Sequence, residues 1–157
     1  MYDRILVPLD GSKLAECVLP HVEKIAKDCK VKEVILLRVC ESPSILSDYP
    51  ASMPLSWEEH VDQITTHAQQ QCSLYLGNAE KQLRDLGLNV RSDSRFGNAA
   101  DEIVDYAAKN EVDLIIMASH GRSGLTRWAY GSVADKVFRS TCTPILMVRA
   151  PGCVPGI

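Results

Sequence analysis

Two polar stretches in this chain each follow a short apolar run, and both hold residues suited to gripping an anion. One is Asp10-Gly11-Ser12, after "RILVPL"; the other runs from Gly121-Arg122 through Gly124 and Arg127 to Gly131-Ser132, after "DLIIMA". Glycines let the backbone approach a bulky oxyanion, arginines supply charge, and bare amides at a helix start are a ready phosphate site. Asp10 can accept hydrogen bonds from a ribose or help hold a divalent cation beside phosphates. Asp10 and Ser12 can equally cap the helix that follows, and the two roles are compatible.

The familiar nucleotide motifs are absent. No GxGxxG follows the first strand and no GxxxxGK[ST] occurs anywhere, so a dinucleotide fingerprint and a P-loop are both excluded. His120 adjoins Gly121, yet sequence places no nucleophile or carboxylate beside it, so no catalytic residue is assigned. His60 and His67 share a helix face but lack a third ligand, so no metal site is assigned from protein groups alone. The six cysteines form no CxxC pair and no zinc-type grouping, and are read as small buried hydrophobes or free thiols.

These groups need a scaffold. The runs Arg4 to Leu9, Glu33 to Val39, Asp113 to Ala118 and Pro144 to Arg149 are short, apolar and rich in β-branched residues, as strands covered on both faces are. A fifth, Asn89 to Phe96, is more polar and belongs nearer an edge. Leu14, Val18, Val22, Ile25 and Cys29 step by three and four, as do Val61, Ile64, Ala68, Cys72, Tyr75, Ala79, Leu83 and Leu86 in a longer helix. Pro20 should kink the first of these, and Gly77 weaken the second. "NAADEIVDYAAKN" predicts a third helix and "SVADKVFRS" a fourth, with Ser132 and Asp135 as its capping pair.

Strict alternation of strand and helix implies an α/β domain: a five-stranded parallel sheet, Rossmann-like, with helices on both faces; the strand order expected for it is 3-2-1-4-5. Ligands of such sheets sit beyond the carboxyl ends of the strands where the winding reverses, which here lies between strands one and four. Both polar stretches therefore converge on one crevice.

At 157 residues, 46% of them hydrophobic, the chain makes one domain over residues 1–150, with a tail at 151–157. The net charge of −3 gives no basic field for nucleic acid. No run approaches the ~20 apolar residues that span a bilayer, and no export leader is seen, so a cytoplasmic location is expected. Cys40 to Trp57, rich in Pro and Ser, is too long for an ordinary connection and reads as a lid-like loop.

"VPLDGS", "LLRVCE" and "MASHGRSGLTRWAYGSVADKVFRSTCTPILMV" resemble the universal stress protein family over nearly the whole chain. Its nucleotide-binding members carry Gly, two residues, Gly, nine residues, then Gly with Ser or Thr. Gly121, Gly131 and Ser132 match, and Ala118 stands where the first glycine belongs. The resemblance implies the adenine nucleotide alpha hydrolase-like fold and a stress-response role. It implies ATP or AMP with Mg or Mn, Pro8, Asp10 and Val39 lining the adenosine, and Gly121, Arg122, Gly131, Ser132 and Val133 the phosphates. It also implies a homodimer joined through Thr143 to Arg149. Enzymatic activity is at most a slow ATPase, so signalling by occupancy is the expected mode, towards a protein partner the sequence does not identify. The alternative is a nucleotide-free dimeric interaction module of the same fold, which Ala118 would favour.

Overall fold

The computed structural model describes residues 2–40, 56–120 and 131–149, with the side chains of 56–58 left aside. The Gly121 to Tyr130 part of the glycine loop, most of the Cys40 to Trp57 loop, and the 151–157 tail lie outside them.

The chain alternates as expected: β1 (Arg4–Pro8), α1 (Leu19–Asp28), β2 (Glu33–Cys40), α2 (Ser56–Asp85), β3 (Val90–Phe96), α3 (Ala99–Lys109), β4 (Leu114–Ala118), α4 (Ser132–Ser140) and β5 (Ile145–Val148). All strand pairs are parallel and the sheet order is β3-β2-β1-β4-β5, the predicted 3-2-1-4-5. The polar strand, β3, is at an edge.

Why the strands read as continuous apolar runs is plain from their two faces. Ile5, Val7, Val34, Leu36, Leu114 and Ile116 point to one side and pack with Val18 and Val22 from the first helical segment and Leu76 and Leu83 from α2. Leu6, Ile35, Leu37, Ile115 and Met117 point to the other and pack with Ile103 and Tyr106 of α3 and Val137 of α4. Successive strand residues alternate sides, so a sheet covered twice needs an apolar residue at every position.

Three local expectations are corrected. Pro20 does not kink a helix: a 3-10 turn covers Ala15–Val18, and Pro20 sits in the opening turn of α1, where its missing N–H costs no hydrogen bond. Ser132 is not the cap of α4; Gly131 holds that position with no side-chain hydrogen bond, and Asp135 instead pairs with Arg139 at 3.1 Å. Leu86 lies past the end of α2 and is exposed, while Leu76 takes the buried place on that helix. Asn98, by contrast, caps α3 with its side chain on the Asp101 N–H.

Candidate functional site

β1 is flanked by β2 on one side and β4 on the other, so the crossover direction reverses at its edge. A cavity of about 460 Å³ opens there, beyond the carboxyl ends of these strands. That volume falls in the range of sites for small organic ligands. Its floor is made by Pro8 to Asp10, Leu37 to Cys40 and Met117 to His120, one wall by α2 and α3, and another by the start of α4.

Most of the expected site residues meet in it. Pro8, Asp10, Val39, Ala118, Gly131, Ser132 and Val133 all line the cavity. Ser12 does not: its hydroxyl accepts from the Ala15 N–H at 3.1 Å and so caps the 3-10 turn. Asp10 accepts from the Ser12 N–H at 2.9 Å, closing a turn ahead of the helical segment, and also lines the cavity. Gly121 and Arg122 lie outside the described residues.

The start of α4 borders the cavity with backbone amides. The first intrahelical bond runs from the Asp135 N–H to the Gly131 carbonyl, 2.9 Å, so the amides of Ser132, Val133 and Ala134 have no partner within the helix. Among the described residues no side chain caps them, and the dipole of the helix adds partial positive charge. Gly131 has φ −53°, a value any residue adopts, so its backbone conformation does not itself require glycine. The Gly131 N–H donates to the Ser119 carbonyl at 2.8 Å and the Ser119 N–H to that of Val148 at 2.8 Å, which fixes the helix start to the sheet.

Ala118 ends β4 in register with Val148, and the only non-glycine residues with positive φ among those described are Lys30 and Glu111. The methyl of Ala118 therefore rides on ordinary strand backbone, where the motif's glycine would not be needed for its conformation.

Arg38 and Ser119, which sequence reasoning did not single out, also line the cavity, as does His120, which it considered and left without a role. Arg38 lies over the Tyr75 ring at 5.0 Å, a cation–π contact, with its guanidinium against Gly11. A Cβ at Gly11 would come within 3.0 Å of Arg38 Nη2, and its φ of +86° also demands glycine. Burial, reinforced by the Glu16 and Asp10 carboxylates and opposed by Arg38, pushes the Tyr75 pKa up, so the phenol stays protonated. Ser119 and His120, 2% and 5% exposed, sit in the floor with Ser119 Oγ 3.1 Å from His120 Nδ1. His60 and His67 are exposed on α2.

The model of the universal stress protein family matches residues 1–149. The chain belongs to the universal stress protein family. Universal stress protein MJ0577 of Methanocaldococcus jannaschii is 35% identical over 156 residues, spanning 95% of this chain and 96% of that one. A solved structure of the MJ0577 protein superposes with a TM-score of 0.82 at 33% identity, covering 97% of this chain and 99% of the other. Three more distant structures share the fold and were solved with nucleotides. One is a universal stress protein with cAMP (TM-score 0.67, 19% identity, 95% and 98% covered). The others are the Archaeoglobus fulgidus protein with dAMP (0.66, 18%, 93% and 97%) and an Arabidopsis thaliana family protein with AMP (0.63, 14%, 95% and 92%).

Proposed function

We propose that this universal stress protein binds an adenine nucleotide, AMP or ATP with Mg²⁺ or Mn²⁺, in the cavity beyond β1 and β4, and acts through occupancy. The observation that carries the reading is the open amino end of α4 facing a cavity that also holds Asp10 and an apolar wall. Adenine fits against Pro8 and Val39, the ribose hydroxyls meet Asp10, and the phosphates meet Gly131, Ser132 and Val133. Gly121 and Arg122 belong to the same phosphate end by the family motif. The nucleotide complexes of its structural relatives support the ligand class.

The residues present fit a nucleotide-bound cation. No cluster of three metal-ligating side chains occurs among the described residues, and a magnesium ion carried by phosphates asks for only one or two carboxylates. Asp10 supplies one. When bound, the ion would neutralise phosphate charge; the protein's part is to orient the chain of phosphates on the α4 amides. Slow hydrolysis at most is expected, and the output is a nucleotide-dependent shift in the surface a protein partner reads.

A homodimer joined through Thr143 to Arg149 completes the proposal. β5 occupies a sheet edge, and its Ile145, Leu146 and Met147 are half-buried in the single chain, leaving apolar surface for a second copy. No described helix is long and apolar enough to cross a membrane; we place the protein in the cytoplasm.

Calorimetric titration with ATP, AMP and cAMP in magnesium buffer, beside mass spectrometry of gently purified protein, tests the reading. Saturable one-site binding of at least one adenine nucleotide is expected. Absence of heat with all three, and of any co-purified nucleotide, would leave the nucleotide-free interaction module as the better account.

A further inference from the structure

Cys40 ends β2, and Cys72 lies near the middle of α2, 32 positions later. Both are buried, both line the cavity, and the structure joins them as a disulfide with Cα atoms 7.1 Å apart. This overturns the reading of all six cysteines as isolated hydrophobes or free thiols. Cys17, Cys29 and Cys142 do remain free.

Where the bond sits matters more than that it exists. Ala68, Gln71 and Cys72 form the strip of α2 that faces the cavity, and Arg38, Val39 and Cys40 form the end of β2 opposite. A link between Cys40 and Cys72 therefore pins the α2 wall of the cavity to its floor. Among the described residues the other thiols do not line it, and burial pushes the Cys17 thiol above its ordinary value.

We propose that Cys40 and Cys72 are a reversible thiol–disulfide modification site that sets the affinity of the cavity for its nucleotide, oxidation fixing α2 in the binding arrangement. The inference rests on the nucleotide reading above. The oxidant is a hydroperoxide. One cysteine thiolate attacks the peroxide oxygen, the O–O bond breaks, and a sulfenic acid forms as water or an alcohol leaves. The second thiol attacks that sulfur, the S–S bond forms and water leaves. Two electrons pass from the thiols to the peroxide; a low-molecular-weight thiol reverses the change by exchange. The cavity is formed in the bonded state, so a wall already fixed spares the ligand the cost of ordering it.

The test uses the full chain, reduced with dithiothreitol or treated with hydrogen peroxide. Alkylation and peptide mass mapping should show Cys40 and Cys72 protected after peroxide, and amide exchange over residues 64–76 should slow. AMP affinity by calorimetry should rise about fivefold or more, the lower end of ordinary coupling between two events on one protein. A Cys40→Ser, Cys72→Ser double variant should bind AMP like the reduced protein and ignore peroxide. Free Cys40 and Cys72 after peroxide, or equal or weaker AMP binding once the bond has formed, overturns the proposal. Should AMP bind neither form, the nucleotide reading has failed, and the exchange measurement alone decides: unchanged protection over 64–76 sinks the redox site as well.

Discussion

The two ends of the sheet carry charge in opposite ways. At the amino end, Asp3, Arg4, Lys32, Glu33, Glu111 and Asp113 answer one another. Lys32 meets Asp3 at 2.7 Å, Arg4 meets Glu111 at 3.2 Å, and Asp113 accepts from the Asp3 and Arg4 N–H groups, both at 2.8 Å. At the carboxyl end, an apolar-walled cavity gathers Arg38, Asp10, Gly131 and the uncapped start of α4. Charges at the amino end tie chain segments together, whereas at the carboxyl end Arg38 stacks on Tyr75 and Asp10 accepts from the Ser12 N–H while both also line a cavity. The contrast teaches that the presence of charge does not mark a site; what it faces does.

The sharpest way to break this comparison is Gly131→Val. Gly131 lines the cavity at the start of α4, and on the proposed phosphate placement AMP affinity should fall about 100-fold, or ~2.7 kcal/mol. Because φ at this position suits valine, stability should drop by no more than about 1 kcal/mol, the cost of a poor cap. Titration calorimetry and urea unfolding read the two quantities separately; unchanged affinity would mean the phosphates do not lie there.

Arg38 and Lys32 offer a matched pair, since Lys32 directly precedes β2 and Arg38 lies towards its carboxyl end. Arg38→Ala should weaken AMP binding about tenfold, the scale of one charge-assisted contact, with a loss of stability near ~0.5 kcal/mol from the Tyr75 stack. An unaffected Kd would show that Arg38 is only a structural partner of Tyr75.

How far the sequence went follows the same division. Strand runs were legible because burial on both faces writes an apolar residue at every position, and alternation with handedness gave a parallel sheet, while its order needed the family resemblance. The crevice was legible because two polar, glycine-bearing junctions had to meet at the winding reversal. Local caps were read less well: Pro20 and Ser132 fit a helical pattern in more than one frame, and only the observed backbone fixes which turn each begins. Arg38 and the Cys40–Cys72 pair were missed because their partners are tertiary. A cysteine at the carboxyl end of β2 and another on the inward stripe of α2, four residues after Ala68, were the available signal, but no spacing rule connects positions 40 and 72.

At the amino end, Asp113 gives an acid-side test. Hydrogen bonds from the Arg4 and Asp3 backbone hold its pKa below the ordinary carboxylate value. The folded form thus favours the ionised group, so its contribution is present above the unfolded value near ~3.9 and is lost as pH falls through the lower folded value. Asp113→Ala should cost about 1 kcal/mol at neutral pH and flatten the fall in stability between about pH 4 and 2. AMP affinity at neutral pH should not change. A variant with wild-type acid sensitivity would show that this clasp contributes nothing measurable.

Lys32→Ala is the smallest expected effect and the most discriminating one for the idea of a self-closing amino end. The Lys32–Asp3 pair is short, but its side chains are 73% and 52% exposed, so water and salt screen most of the attraction and ordering two side chains offsets part of the rest. Stability should fall by no more than ~0.5 kcal/mol, and less in 1 M salt. AMP binding should be untouched, in contrast with Arg38→Ala, although each variant deletes one positive charge, one just before β2 and the other within it. If Lys32→Ala instead weakened AMP binding as much as Arg38→Ala does, long-range net charge rather than local geometry would govern recognition, and the distinction between the two ends would fall.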